Sequence, residues 1–424
     1  WALALAAGAA LLAAFVRTVP AGPFPPLAAA AAYAGFGGIV FAAPAFLVAA
    51  ALLLSPVESL VRRRFIERAR ARLAEVGPLV IGVAGSYGKT TTKAALAAAL
   101  SGRYRVLATP DSYNTLLGVT RTINELLTPE HEAFVVEMGA RQPGDIAEIC
   151  DLVHPEVGVV TSLGPQHLEY FKDEATVVRT KTELLRALPA DGIAVVDADG
   201  IEDFAGAHDW TAPTTRVSAR EGAGAEVTVT GVAFTGEGTS FTVRAAGHAF
   251  LALTTPLLGR HAAADCALAA VAALQLGVEP AAIAAGLAKM TPVPHRLEVV
   301  RNDSVVVIDD AFNSNPAGFS AALEVLGAFA GRKILITPGM VELGEETVAA
   351  HRRVGEQAAR ACDVVILVGR SWPAEFMDAI LAGGLPAESL HGVASLAAAS
   401  ELLATMIRPG DVVLFENDLP DNFA

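Results

Sequence analysis

Cysteine is scarce in this 424-residue chain: Cys150, Cys266 and Cys362 stand far apart and form no CxxC pair. That spacing excludes a disulfide framework and a zinc ribbon. Basic residues are also short. The 31 Lys and Arg against 45 Asp and Glu leave a net charge of −14, which excludes a general nucleic-acid partner, because such binding rests on a basic face that neutralises phosphates. Apolar residues, by contrast, are abundant. Their share of 53% excludes a disordered or collagen-like chain.

The apolar surplus is concentrated at the start. Leu27 to Leu54 is a run of 28 residues without a charge, beyond the ~20 that a helix needs to cross a bilayer. It reads as a transmembrane helix kinked at Pro44. Trp1 to Val16 is likewise uncharged and reads as the back half of a preceding span, with proline-rich Arg17–Pro26 as the turn. Val61 to Arg72 then carries six arginines. By the positive-inside rule this side faces the cytoplasm, as an interfacial helix among anionic headgroups. The expectation is therefore transmembrane helices over 1–56, the first truncated, and a basic juxtamembrane helix over 57–77. The protein would be a multi-pass protein of the cell membrane, with cytoplasmic catalytic domains and the lipid bilayer as a partner.

From Pro78 onward the pattern changes. The apolar runs Pro78–Ala84, Ala133–Val136, Val157–Thr161 and Gly192–Val196 alternate with helical patterns, the signature of a parallel sheet covered by helices. Short β-branched stretches between Thr214 and Thr255 predict a small antiparallel insertion. Thr291-Pro-Val-Pro294 reads as a hinge. Beyond it Val305–Ile308, Lys333–Thr337, Val364–Val368 and Val412–Phe415 read as the strands of a smaller doubly wound unit. The fold class is α/β: a P-loop parallel-sheet ATPase domain over 78–291 and a Rossmann-like domain over 292–424, preceded by the transmembrane helices.

Gly85-Ser86-Tyr87-Gly88-Lys89-Thr90-Thr91 follows a predicted strand and opens a predicted helix. That context is what a phosphate-binding loop requires. The glycines let backbone N–H groups turn to the phosphates, Lys89 neutralises them, and the Thr90 hydroxyl can ligate Mg²⁺. Only two residues separate Gly85 from Gly88, so the strict GxxxxGK[ST] register, whose first glycine would fall at Val83, is not met.

This compact GxxGKT[ST] form resembles the Mur ligases and their folylpolyglutamate synthetase relatives, which join an amine to a carboxylate through an acyl phosphate. Further stations of that family follow in order. After Asn114-Thr-Leu-Leu-Gly118 comes Val135-Val-Glu-Met-Gly139. The resemblance implies that Asn114 lies at the nucleotide and that Glu137, at a strand's C-terminal end facing the phosphate crevice, binds a second Mg²⁺. His167, in Leu163-Gly-Pro-Gln-His-Leu-Glu169, is implied as another ligand. Lys181, in Arg179-Thr-Lys-Thr-Glu-Leu-Leu185, matches a lysine that is carbamylated in many members, and its carbamate would orient a cation. Leu258-Gly-Arg-His-Ala-Ala-Ala-Asp-Cys266 resembles the family's GRHNxxN helix start, with Ala262 and Asp265 in place of the two asparagines that contact adenine. A carboxylate at Asp265 can still accept a hydrogen bond from the base.

In the third unit, Arg296 of Pro294-His-Arg-Leu-Glu298 matches the arginine that reaches across the cleft to the phosphates. Ile308-Asp-Asp-Ala-Phe-Asn-Ser-Asn-Pro316 resembles DDxYNANP, with Phe312 for Tyr. Asp310 would hold the ribose hydroxyls, and Asn313 with Asn315 would shape the loop beside the nucleotide. Thr337-Pro-Gly-Met-Val-Glu-Leu-Gly344 is similar to the family's GxMxELG. The end, Leu414-Phe-Glu-Asn-Asp-Leu-Pro-Asp421, is acidic where relatives carry a lysine-bearing loop.

The resemblance implies a membrane-anchored ATP-dependent amide ligase of the Mur type. Lys89, His167, Lys181 and Arg296 would be its catalytic residues, and ATP with two Mg²⁺ ions, held by Thr90, Glu137, His167 and Lys181, its cofactors. Its carboxylate acceptor would be cell-wall-related and presented at the membrane surface, because the spans stand where soluble members carry a UDP-sugar domain. An amino acid or dipeptide would be the amine. Two alternatives stand beside it: a polymerising ligase of the poly-γ-glutamate type, and a nucleotide-binding membrane scaffold without catalytic activity.

Overall fold

The structure, a computed structural model, describes residues 25–110, 113–164, 171, 173–201, 209–220, 224–245, 248–302, 304–311, 314–341, 343–369 and 372–417. It opens with one helix of 52 residues, α1 (Pro25–Val76), with Pro44 and Pro56 inside it. Alanine and leucine dominate this stretch and favour helix over any alternative. Gly77, at φ 61°, ends it in the left-handed conformation, its N–H closing on the Leu73 carbonyl at 2.8 Å.

The chain divides after Arg68 into two compact units. In the second unit Ala69 is fully buried and Arg72 Nε donates to the Leu127 carbonyl at 3.0 Å, so the last turns of α1 belong to the larger body. One helix runs through residues 56 and 57.

The expected membrane location is corrected by this helix. Among the described residues, no helix is long and apolar enough to cross a membrane. The bilayer as a partner, and the acceptor's presentation at a membrane surface, rested on that location and fall with it. The expected span over Trp1–Val16 lies outside the described residues.

The second unit is built on two sheets. The first has nine strands: β1 (Leu79–Ala84), β2 (Val106–Ala108), β3 (Ala133–Glu137), β4 (Val157–Val160), β5 (Ile193–Asp197), β6 (Thr214–Ser218), β7 (Val227–Thr235), β8 (Gly238–Ala245) and β9 (His248–Thr255). They are ordered β2-β3-β1-β4-β5-β6-β7-β8-β9. Neighbours from β2 to β7 pair in parallel, and β7-β8-β9 are antiparallel. The segment expected to form a small antiparallel insertion is antiparallel over β7–β9, and it continues the main sheet because β6 pairs with β5 before the hairpins begin. β3 and β4 are buried along their whole length, which is why they read as unbroken apolar runs. Two alanine-rich helices, α2 (Lys89–Leu100) and α3 (Arg260–Gln275), pack into the core formed with Ile81, Val83, Val135 and Val159.

The second sheet takes the order β10 (Glu298–Asn302), β11 (Val305–Asp310), β15 (Val412–Glu416), β12 (Lys333–Thr337), β13 (Val364–Val368) and β14 (Leu390–Val393). Only the β10–β11 pair within it is antiparallel. The four strands expected from sequence are present, and the edge strands β10 and β14 join them. Helix α4 (Pro316–Gly327) carries Phe319 into the core, edge-on to Phe376 at 6.4 Å between ring centroids. Phe376 is fully buried and also meets the His351 ring at 5.0 Å. Phe376→Ala is therefore expected to destabilise the C-terminal domain by about 3–5 kcal/mol, read from the urea unfolding transition of that domain. A loss below about 1 kcal/mol would contradict this packing.

Candidate active site

The site begins where β1, in the middle of the parallel strands, delivers the chain to the phosphate loop. Two glycines make the turn. Gly85 lies at φ 147°, and a Cβ there would stand 2.0 Å from Thr161 Oγ1; Gly88 lies at φ 78°, and a Cβ there would stand 2.2 Å from Asp265 Oδ1. No other residue fits either position. Gly88 is also the N-cap of α2, and no side chain caps that terminus. The first amides of α2 thus remain directed outward with the positive end of the helix dipole behind them, an arrangement suited to a phosphate. The amides of Ser86 and Tyr87 instead donate to the Ser162 carbonyl at 3.0 and 3.1 Å, tying the loop to the end of β4.

Lys89 folds back over this loop, its ammonium donating to the carbonyls of Gly85 at 2.9 Å and Ser86 at 3.0 Å. Burial lowers its pKa to about 8, with the Arg296 charge acting in the same direction and Glu137 and Asp265 opposing. Thr90 and Thr91 are half-buried at the start of the helix.

Glu137 ends β3 and is 2% exposed. One of its oxygens accepts from Asn114 Nδ2 at 3.0 Å and the other lies 3.0 Å from Lys93 Nζ, itself 6% exposed. Burial alone would raise this carboxyl; Lys93, Asn114 and Lys89 outweigh it and hold Glu137 below its ordinary value, hence ionised. Asn114 thus orients Glu137.

Lys181, at the end of the helix Glu174–Lys181, is 1% exposed. Its Nζ lies 3.4 Å from the Ala140 carbonyl and 5.7 Å from the centre of the Phe171 ring. Burial, with the charge of Lys89 behind it, lowers its pKa to about 7, against Asp145 and Glu183.

Asp265 is carried by α3, but it lies under the phosphate loop, against Gly88. Burial first, then the Asp197 charge, pushes its pKa well above the usual carboxylate range. Ala262 is buried in the same helix.

The C-terminal domain closes the group. His295 and Leu297, at φ 58° and 49°, bend the hinge around Arg296. The Leu297 amide donates to Asp310 Oδ1 at 3.1 Å, fixing the end of β11 to the hinge. Burial lowers the Arg296 pKa, while Asp310, Glu137 and Asp265 act on it in the opposite direction. The guanidinium is therefore in electrostatic reach of carboxylates from both domains. On the outside, Arg260 Nε of α3 meets Glu324 Oε1 of α4 at 2.9 Å across the same junction. Asn315 is the N-cap of α4, its Oδ1 accepting from the amides of Ala317 and Gly318. It shapes the loop through that cap.

Of the residues marked in the sequence, Lys89, Glu137, Lys181, Asp265, Arg296 and Asp310 are linked through these charges. His167 and Asn313 lie outside the described residues. Lys93 and Glu416 were missed. The signal for Lys93 was its spacing four residues after Lys89, which sets both on one face of α2; that for Glu416 was an acid ending the last strand. Among the described residues no cluster of three or more His, Cys, Asp or Glu is placed to hold a metal.

The Mur ligase middle domain matches residues 83–274, and the Mur ligase, glutamate ligase domain matches residues 295–416. The chain is 35% identical over 305 residues to the UDP-N-acetylmuramoyl-tripeptide–D-alanyl-D-alanine ligase of Escherichia coli, covering 70% of this chain and 66% of that one. It is 35% identical over 441 residues to the ligase of the same name from Mycobacterium bovis, covering 97% of this chain and 82% of the relative. That match takes in most of the first 77 residues, the stretch expected to stand apart from the family. Among solved structures, the MurF ligase of Thermotoga maritima in complex with ADP superimposes with a TM-score of 0.72 at 27% identity, covering 84% of this chain and 80% of that one. This chain belongs to the Mur ligase family of ATP-dependent ligases.

Proposed function

We propose that the chain adds a dipeptide of the D-alanyl-D-alanine type to the carboxylate of a UDP-linked muramoyl tripeptide, at the expense of ATP. The observation that carries this reading is the convergence on Lys89 of Glu137 and Asp265 from the middle domain and Arg296 from the C-terminal domain. The substrates come from the names of the relatives in Escherichia coli and Mycobacterium bovis. Nothing observed favours the polymerising ligase or the inactive scaffold.

In this reading residues 78–291 hold the nucleotide and residues 292–424 close over it. A carboxylate oxygen of the acceptor attacks the γ-phosphorus of ATP, the bond to the β-phosphate oxygen breaks, and ADP leaves an acyl phosphate. The amine nitrogen then attacks the acyl carbon, loses a proton, and expels phosphate to leave the amide. Lys89 and Arg296 face the charge that gathers on the transferring oxygens. The amides at the start of α2 hold the phosphates, and Asp310 the ribose. Enclosure between the domains keeps water from the acyl phosphate.

The donor set fits Mg²⁺: the Thr90 hydroxyl and the ionised Glu137 carboxylate are hard oxygen ligands, and the resemblance implies His167 as a further ligand. When bound, the ion would supply Lewis-acid polarisation of the phosphoryl oxygens. Lys181 suits carbamylation, because a buried amine short of water gives up its proton readily and the resulting anion would face Lys89.

The test is ADP release by the purified chain with the UDP-muramoyl tripeptide and D-alanyl-D-alanine. Turnover that needs both substrates supports the reading; ATP hydrolysis indifferent to either would refute it. Lys89→Met is expected to lower kcat by about 10²–10³-fold, the loss typical of a transition-state charge contact. A second expectation concerns Lys181. Removing bicarbonate should slow the wild type reversibly, whereas Lys181→Ala should be slow under all conditions and indifferent to bicarbonate. An equal response of both proteins to bicarbonate would exclude a carbamate at this position.

A further inference from the structure

The most unusual polar contact outside the phosphate loop lies in the C-terminal sheet, where β11 and β15 run in parallel and Asp310 and Glu416 are register partners. Both acids end their strands, and their side chains meet. Glu416 is 1% exposed. One of its oxygens accepts from Ser314 Oγ at 2.6 Å, and Oε2 is buried without a hydrogen bond from any described residue. Two buried carboxylates in contact are not stable as two anions, whereas a single proton between them turns the repulsion into a hydrogen bond.

The surroundings decide which acid carries the proton. Burial raises the Asp310 pKa, with the Asp309 charge acting the same way, while the contact with Glu416, the Leu297 amide at 3.1 Å and the field of Arg296 all favour its anion. Asp309 is itself paired with His295 Nδ1 at 2.8 Å. Glu416 meets the Asp310 charge and the neutral Ser314 hydroxyl. Burial first, and that charge second, drive the Glu416 pKa well above the usual carboxylate range. The next residue locks the end of the strand: Asn417, at φ 69°, donates its N–H to the Asp310 carbonyl at 3.1 Å, its Oδ1 accepts the Ser314 amide at 3.2 Å, and its Nδ2 donates to the Gly339 carbonyl at 2.6 Å.

We propose that Glu416 is a positioning residue for Asp310: the two carboxyl groups share one proton, given by Glu416 and accepted by Asp310, so that Asp310 keeps one negative charge and a fixed place beside Arg296. Its consequence for ATP rests on the reading of Asp310 as a ribose contact; the shared proton does not. The sign follows from linkage. The folded state holds a proton on Glu416 that the unfolded chain releases near pH ~4.3, so this contribution to stability is complete below that value and is lost as pH rises through the raised folded value.

The experiment compares the wild type, Glu416→Gln and Glu416→Ala. Glutamine keeps the shape, accepts from Ser314 and donates a permanent N–H to Asp310. Three readouts are taken: the infrared carbonyl band of a protonated carboxylic acid at neutral pH, the dependence of Tm on pH between about 6 and 9, and the KM for ATP over the same range. The wild type is expected to show, beside the band of the buried Asp265, a component that Glu416→Gln lacks, and Glu416→Gln to have a flatter alkaline fall in Tm. Glu416→Ala should raise the KM for ATP by about tenfold at neutral pH, and Glu416→Gln should recover it and remove the alkaline rise, a tenfold change corresponding to one pKa unit. Identical bands and Tm slopes in wild type and Glu416→Gln would overturn the shared proton. An unchanged KM in Glu416→Ala, with the band present, would overturn the positioning role. A wild type that binds no ATP would defeat the nucleotide reading alone, and the infrared and Tm results would still decide the proton.

Discussion

The site depends on the enclosure of one ammonium group. Lys89 has exchanged most of its water for two carbonyls of its own loop, and it stands between carboxylates that favour its charge and an arginine that opposes it. In a medium of low dielectric such a balance is sensitive, and an added polyanion is the natural way to settle it. The two glycines serve this constraint directly. A side chain at either would push away Thr161 or Asp265, and Lys89 could not lie back over the loop.

Seen from that group, the rest of the second unit is a means of delivering charges to one place. β1 sets the loop, β3 delivers Glu137 beside it, and α3 places Asp265 beneath it. The second sheet contributes through the hinge, where two residues in left-handed backbone turn Arg296 inward and the Leu297 amide fixes Asp310. Lys93 and Lys89 keep the Glu137 carboxylate ionised in a place where burial would otherwise neutralise it.

Much of this was legible in the sequence because its causes are local. A turn that only glycine can make, a lysine after it and a strand before it are neighbours in the chain, so the phosphate loop stood out. The parallel strands also stood out, since strands covered on both sides must be apolar throughout. What escaped depends on partners distant in sequence. Lys93 reads as an ordinary helical lysine until β3 brings Glu137 to it, and Glu416 reads as a surface acid until β15 inserts beside β11. Asp265 was marked for a base contact and lies at the loop, because the turn of α3 that carries it faces Gly88. The membrane expectation failed differently. It was drawn from hydropathy alone, and among the described residues no helix is long and apolar enough to cross a membrane.

The central claim is that Lys89 and Arg296, from different domains, act on the same phosphoryl group. A double-mutant cycle on kcat with Lys89→Met and Arg296→Ala tests it most directly. If both residues oppose the charge of one transition state, the double variant will be less impaired than the product of the single losses, with a coupling of about 0.5–3 kcal/mol. Losses that multiply without coupling would mean that the two cations serve separate groups, and would contradict the account.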